Sequence, residues 1–211
     1  MARHAPPRSA CLRCAADLPA LAEPAAPVAI CGACRVRPGP LDACLAAVDY
    51  AWPWVDCIAQ FKYRSQPGMA ATLAGLMRAV PGVAGALRQA DRVVPMPLAP
   101  QRLRERGFNQ SHELARRLGA GPCDPLLLLR VRETPPQAGL NRAQRLVNVR
   151  GAFALEPEQA GSVRGQRLVL VDDVMTTGAT LHAAADELRQ AGASHITAVV
   201  FARAPAPDTV P

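Results

Sequence analysis

Along this chain the apolar positions are first sparse and aperiodic, then helically spaced, then gathered into unbroken runs. Over residues 1–44 alanine and proline dominate, and neither a 3.6- nor a 2-residue period lasts long enough to build a core. Beyond Asp49, Val55, Ile58, Ala59 and Phe61 to Tyr63 predict a short helix. Met69, Leu73, Leu76, Met77 and Val80 then recur at i, i+4, i+7, i+8 and i+11, an amphipathic helix stopped by Pro81 and Gly82. Arg92-Val93-Val94-Pro95-Met96-Pro97 predicts a strand that ends at proline. A basic helix follows from Leu98 and breaks at Gly107. Asn109 then caps a helix with Leu114 and Leu118 on its inner face and Gly119 at its end. Leu126 to Leu129 reads as a short buried strand. Arg130 to Gln144, with two adjacent prolines and Gly139, reads as a long polar loop of the kind that serves as a functional lid.

The clearest unit comes last. Arg167 to Val171 is a strand apolar on both faces, Asp172 to Thr180 a loop, Leu181 to Ala191 a helix ended by Gly192, and His195 to Phe201 a second buried strand. A β-loop-α-β order with such strands requires a parallel sheet covered by helices, so the fold class is α/β. The divisions are a small module over residues 1–44, the α/β domain over 45–203, and a proline-bearing tail, expected to be disordered, over 204–211.

Composition sharpens this picture. Half of the 211 residues are hydrophobic and 19% are charged, enough for one sizeable core and too apolar for a disordered chain. No run approaches the ~18 apolar residues of a membrane span. The first ten residues lack the apolar stretch of an export signal, so a cytoplasmic protein is expected. Seven cysteines in a reducing compartment then argue for metal or core chemistry over disulfides. The formal charge is +7, every basic residue except Lys62 is arginine, and residues 102–150 hold ten arginines against four acids. Arginine forks suit phosphate-bearing partners, while a solvated face is the ordinary role of a charge run; composition alone leaves both open.

Two motifs carry chemistry. Cys11-x2-Cys14 and Cys31-x2-Cys34, sixteen residues apart, form two knuckles that can present four thiolates to one tetrahedral ion. Zinc is the first choice and iron the alternative, and a closed four-thiolate site serves folding or docking and not catalysis. Cys44, Cys57 and Cys123 have no paired spacing and are expected as buried small hydrophobes. The second motif is Val169-Leu170-Val171-Asp172-Asp173-Val174-Met175-Thr176-Thr177-Gly178-Ala179-Thr180. Here a buried strand delivers two carboxylates to its carboxyl edge, where open α/β sheets bind ligands. The following turn offers backbone N–H groups and hydroxyls at a helix N-terminus, a phosphate cradle. Together they suit a sugar phosphate, whereas a capped helix after an acidic turn would explain only one Asp and one Thr.

Segment 168–181 resembles the phosphoribosyl diphosphate (PRPP) motif of type I phosphoribosyltransferases. Further motifs are Arg102-x-Arg104-x-Arg106-Gly107-Phe108-Asn109-Gln110, Thr134-x2-Gln137-x2-Leu140-x4-Arg145-x2-Asn148 and Gly151-Ala152-Phe153. With the four-cysteine module they resemble the ComF/GntX family over nearly the full chain. That resemblance implies a type I phosphoribosyltransferase-like sheet with a zinc-ribbon-like N-terminal module. It implies a pentosyltransferase of the glycosyltransferase class that binds PRPP with Mg²⁺ and transfers phosphoribosyl to an unidentified acceptor. Asp172 and Asp173 would meet the ribose 2′- and 3′-hydroxyls, directly or through Mg²⁺. Thr176, Thr177, Gly178, Ala179 and Thr180 would hold the 5′-phosphate, and Val174 belongs to the same PRPP-binding motif. Val94, Pro95 and Met96 would form the loop that contacts pyrophosphate, often through an unusual peptide geometry, and residues 130–148 the mobile hood. Arg104, Arg106, Asn109, Arg132 and Arg145 are candidates for contacting pyrophosphate or acceptor, and the arginines join the two aspartates as candidate catalytic residues. Thr176 stands where purine salvage enzymes of this fold place an acid, which disfavours a purine acceptor.

The chemistry fits that assignment. Displacing pyrophosphate from C1 passes through an oxocarbenium-like state, so the site must neutralise the leaving group and exclude water. Two rivals remain, the first because some regulators of this fold bind without turnover, the second because the family is associated with natural competence and uptake of transforming DNA. One is a non-catalytic sensor of PRPP or a nucleotide; the other is a DNA-uptake adaptor whose arginine-rich face and cysteine module hold single-stranded DNA or a helicase partner. The resemblance also implies a homodimer. His4, His112, His182 and His195 lack the spacing of a metal or catalytic pair, and Trp52 and Trp54, with Tyr50 and Tyr63, are expected to pack the cysteine module onto the sheet.

Overall fold

The two unbroken apolar runs become the inner strands of a four-stranded parallel sheet. In the computed structural model the described residues are 9–18, 29–63, 66–119, 121–132 and 148–205. Strands β1 (Ala43–Asp49), β2 (Arg92–Pro95), β5 (Arg167–Met175) and β6 (His195–Arg203) lie in the order β1-β6-β5-β2, while β3 (Leu128–Arg130) and β4 (Phe153–Leu155) form a separate antiparallel pair. The helices are α1 (Gly32–Val36), α2 (Trp54–Tyr63), α3 (Ala70–Arg78), α4 (Val83–Gln89), α5 (Pro100–Arg106), α6 (Gln110–Leu118) and α7 (Ala179–Gln190). Because β5 and β6 have neighbours on both edges and helices on both faces, water reaches neither face and both read as continuous apolar runs.

Alternation along these strands sorts the core into two layers. Leu168, Leu170, Ile196 and Ala198 pack beneath Leu181, Ala184 and Leu188 of α7, together with Phe153 and the Ala15 of the cysteine module. Val169, Val171, Val199 and Phe201 pack beneath Ile58 and Phe61 of α2, Leu73 and Met77 of α3, and Leu114 and Leu118 of α6. The Asn109 side chain accepts from the N–H groups of Ser111 (2.9 Å) and His112 (3.3 Å), so α6 begins where its cap was expected, and Gly119 ends it at φ 69°.

Several expectations are corrected. β5 does not stop at Val171: its ladder with β6 runs on to Met175 opposite Arg203, so Asp172 and Asp173 sit in the strand and not in a loop. α7 accordingly starts at Ala179. The Leu126–Leu129 strand is shifted to Leu128–Arg130, because the Asp124 carboxylate accepts from the N–H groups of Leu126 and Leu127 and holds them in a turn. Trp54 does not join the cysteine module to the sheet. It meets Phe201 edge-on at 5.6 Å on the opposite face, and Trp52 is 75% exposed. Cys44 is buried in β1, but Cys57 and Cys123 are only half-buried. The cis peptide found among the described residues joins Trp52 and Pro53, so the unusual geometry expected at Val94 to Met96 is not there. Four elements gave no readable pattern: α1 and β1, which lie in or begin inside the alanine-rich segment, α4, which follows Gly82, and β4.

Candidate active site

At the carboxyl edge of β5 the chain turns sharply into α7. Gly178 makes that turn at φ 80°, which favours glycine, and an added Cβ would lie 2.5 Å from Met175 Cε, so the end of that side chain would have to shift. The Thr177 hydroxyl accepts from the Ala179 N–H at 3.4 Å, and Thr176, Thr177 and Thr180 are half-buried at the start of a 12-residue helix. The expected cradle residues are thus brought together where the helix dipole favours an anion.

The two aspartates have different surroundings. Asp172 is half-buried, and its Oδ1 accepts from the Ser111 hydroxyl at 2.8 Å and from the Asp173 N–H at 2.9 Å. Burial, reinforced by the adjacent Asp173 charge, pushes its pKa up to about 7 against the opposing pull of Lys62, Ser111 and the Asp173 N–H. Asp173 is 4% exposed, and its Oδ2 lies 2.5 Å from the Lys62 Nζ at the last turn of α2. Burial works against the Lys62 ammonium, but contact with Asp173 and the charge of Asp172 outweigh it and raise its pKa. Lys62 and Ser111 were missed by sequence reasoning. The signal for Lys62 was that it is the chain's single lysine; Ser111 had none beyond its place in the first turn of α6.

The remaining predicted residues divide. Val94, Pro95 and Met96 are buried, so what they offer a ligand is backbone; the Met96 N–H donates to Val171 O, and the Asn109 amide donates to Met96 O at 3.0 Å. Arg106 donates to Gln110 Oε1 at 3.0 Å and lies over the Tyr63 ring at 4.9 Å, close enough to Lys62 for the two positive charges to oppose each other. Gly107 ends α5 at φ 75°, and Phe108 packs on Phe61. Arg102 is half-buried and Arg104 exposed on α5. Exposed Arg132 donates to the carbonyls of Asn148 and Arg150, clamping the ends of the hood segment. Thr134, Gln137 and Arg145, with most of that hood, lie outside the described residues, as do His4 and residues 206–211. His195 stands 3.6 Å from Asp42, which also pairs with Arg189 and accepts from the Ile196 N–H 154 positions away; partners so distant in the chain left no local spacing.

The four cysteines converge as their spacing requires. Their Sγ atoms lie within 4.8 Å of one another, with Cys14 and Cys31 at 3.8 Å. Tetrahedral thiolates ~2.3 Å from zinc would stand about 3.8 Å apart, so the set fits such an ion. Burial alone would push the Cys11 thiol up, but N–H groups of Cys31, Arg13 and Cys14 bring it down to about 7, toward the thiolate a metal needs. Burial raises Cys14 and Cys34. For Mg²⁺, which takes oxygen ligands and keeps one or two carboxylates beside substrate phosphates, Asp172 is the suitable donor because Asp173 already has its cation.

One guanidinium joins the two centres. Arg203, 6% exposed at the end of β6, donates from Nε to the Cys14 carbonyl at 2.8 Å and from Nη1 to the carbonyls of Met175, Thr176 and Ala204. The cysteine module is therefore fastened to the first residue of the cradle.

Comparison with known proteins places this geometry. Residues 104–210 match the model of the phosphoribosyl transferase domain. The DNA utilization protein YhgH of Salmonella typhimurium is 36% identical over 195 residues, covering 89% of this chain and 81% of its own. Competence protein F of Haemophilus influenzae is 32% identical over 82% of this chain and 78% of its own length. Competence protein ComFC of Bacillus subtilis is 37% identical over 47% of this chain and 39% of its own.

Proposed function

The chain belongs to the ComF family of proteins with a phosphoribosyl transferase domain, and from that premise we propose that it binds PRPP at the carboxyl edge of β5 and transfers the phosphoribosyl group to an acceptor. The observation that carries this reading is the direct succession of Asp172 and Asp173, the Thr176–Gly178 turn and the N-terminus of α7. The N–H groups and threonine hydroxyls of the turn hold the 5′-phosphate, and the carboxylates accept from the ribose hydroxyls. In the transfer the bond from C1 to the pyrophosphate oxygen breaks, the electron pair leaves with the oxygen, and the acceptor's nucleophilic atom bonds to C1. Mg²⁺, when bound, neutralises charge on the departing pyrophosphate. Arg106 supplies further positive charge, and the hood segment, clamped by Arg132, excludes water.

The deciding experiment is pyrophosphate release from PRPP and Mg²⁺ across a panel of bases and nucleotide precursors. Turnover with one acceptor class, falling at least ~100-fold in the Asp172→Asn, Asp173→Asn double variant, supports the transferase. Binding without release from any acceptor supports a sensor instead.

A second reading, a single-stranded-DNA adaptor for DNA uptake, is favoured by the relatives' names and by the exposed arginines Arg104 and Arg116. Phosphate-driven binding would give a log–log salt slope of about −0.7 per phosphate contacted. Replacing Arg116 would reduce that slope and leave PRPP binding intact.

A further inference from the structure

Every cation of the chain is an arginine except one, and that one is turned inward against the diacid. Resting on the PRPP-site reading, we propose that Lys62 is the positioning residue of this site: its ammonium fixes the Asp173 carboxylate and cancels one of two adjacent negative charges before an anionic sugar phosphate arrives.

Among the described residues the surroundings leave this task to Lys62. Two neighbouring carboxylates beside a phosphate cradle would repel the ligand the cradle attracts, and at this burial the repulsion is poorly screened. α6 presents the Ser111 hydroxyl, which carries no charge, and its Glu113 is paired with Arg117. α5 presents Arg106, turned to Gln110 and Tyr63. β2 and β6 border the pair with Pro95, Met96 and Val200, and the charge at the end of β6, Arg203, is directed at backbone carbonyls. α7 has no acid in its first turn, and its His182 stands against Gly178. A lysine also suits the place better than a twenty-fourth arginine, because a compact ammonium meets one carboxylate oxygen where a guanidinium fork engages both.

The test is calorimetric titration of ribose 5-phosphate without added divalent metal, and of PRPP with Mg²⁺, into the wild type, Lys62→Met, Lys62→Arg and the Lys62→Met, Asp173→Asn double variant, all at one pH. Lys62→Met should bind ribose 5-phosphate about tenfold more weakly than the wild type, because an uncancelled buried carboxylate repels the phosphate. Lys62→Arg, which keeps the charge, should lose less than Lys62→Met. The double variant, which removes the carboxylate charge together with its ammonium, should recover to within about threefold of the wild type. Lys62→Met binding as tightly as the wild type, or a double variant that recovers nothing, overturns the proposal. If the wild type binds neither ligand, the PRPP reading fails on its own, and Lys62 is judged by thermal unfolding. A Tm that falls in Lys62→Met and recovers in the double variant supports charge cancellation, and a Tm unchanged in Lys62→Met or unrecovered in the double variant overturns it.

Discussion

Asp172 shows how one residue can weaken a fold and serve a site. Its carboxyl ionises in the unfolded chain near the ordinary value of 3.8 and in the folded protein at about 7, because burial and Asp173 disfavour the charge. The folded state therefore holds the proton more tightly, and stability is lost as pH rises from about 4 to 7. Asp172→Asn, which keeps an acceptor for Ser111, should raise stability by about 1–2 kcal/mol at pH 8 and by almost nothing at pH 4, measured by thermal unfolding. The same variant should bind PRPP poorly, a stability–function trade expected where charge is buried for a ligand. At this scale the sequence was informative wherever a residue's role is local: Asn109 as a cap and Gly178 as a turn were legible from their neighbours. Lys62 and Ser111 were not, because their partners on β5 are more than sixty residues away.

Among the elements, the β5–α7 turn is the most constrained. Gly178→Ala would place a methyl 2.5 Å from Met175 Cε at a φ of 80°, so it should cost about 1–3 kcal/mol and abolish PRPP binding even where the variant still folds. Denaturant unfolding and calorimetry separate the two effects. Phe201, fully buried beneath α2 and edge-on to Trp54, tests the other layer: Phe201→Ala should cost about 3–5 kcal/mol. β5 and β6 were readable as elements because burial on both faces leaves an unbroken apolar signature. β1 was not, since Ala43, Ala46 and Ala47 give an edge strand little apolar contrast, and its identity depends on pairing with β6. The residues after Val171 were misread as loop because two acids look like a strand's end, whereas the ladder to Arg203 continues beneath them.

Across the whole molecule, Arg203 makes the cysteine module and the cradle parts of one device. Because its guanidinium bonds the carbonyls of both Cys14 and Thr176, loss of a metal bound by the four cysteines should loosen the cradle as well as the module. Stripping the metal with a chelator should lower Tm and weaken PRPP binding about fivefold or more, and reciprocally PRPP should slow metal release. In Arg203→Met the reciprocal effect should disappear, read as equal rates of metal release with and without PRPP.

By itself the sequence determined the α/β class, the family, the four-cysteine cluster and the succession of the two aspartates and the threonine-rich turn, because each rests on neighbours in the chain or on periodicities that burial imposes. Tertiary structure alone decided which cation meets Asp173, which hydroxyl meets Asp172, which face Trp54 covers and how Arg203 joins the module to the cradle. Those contacts form between elements far apart in the chain, and no local pattern of residues encodes the distance that folding brings to zero.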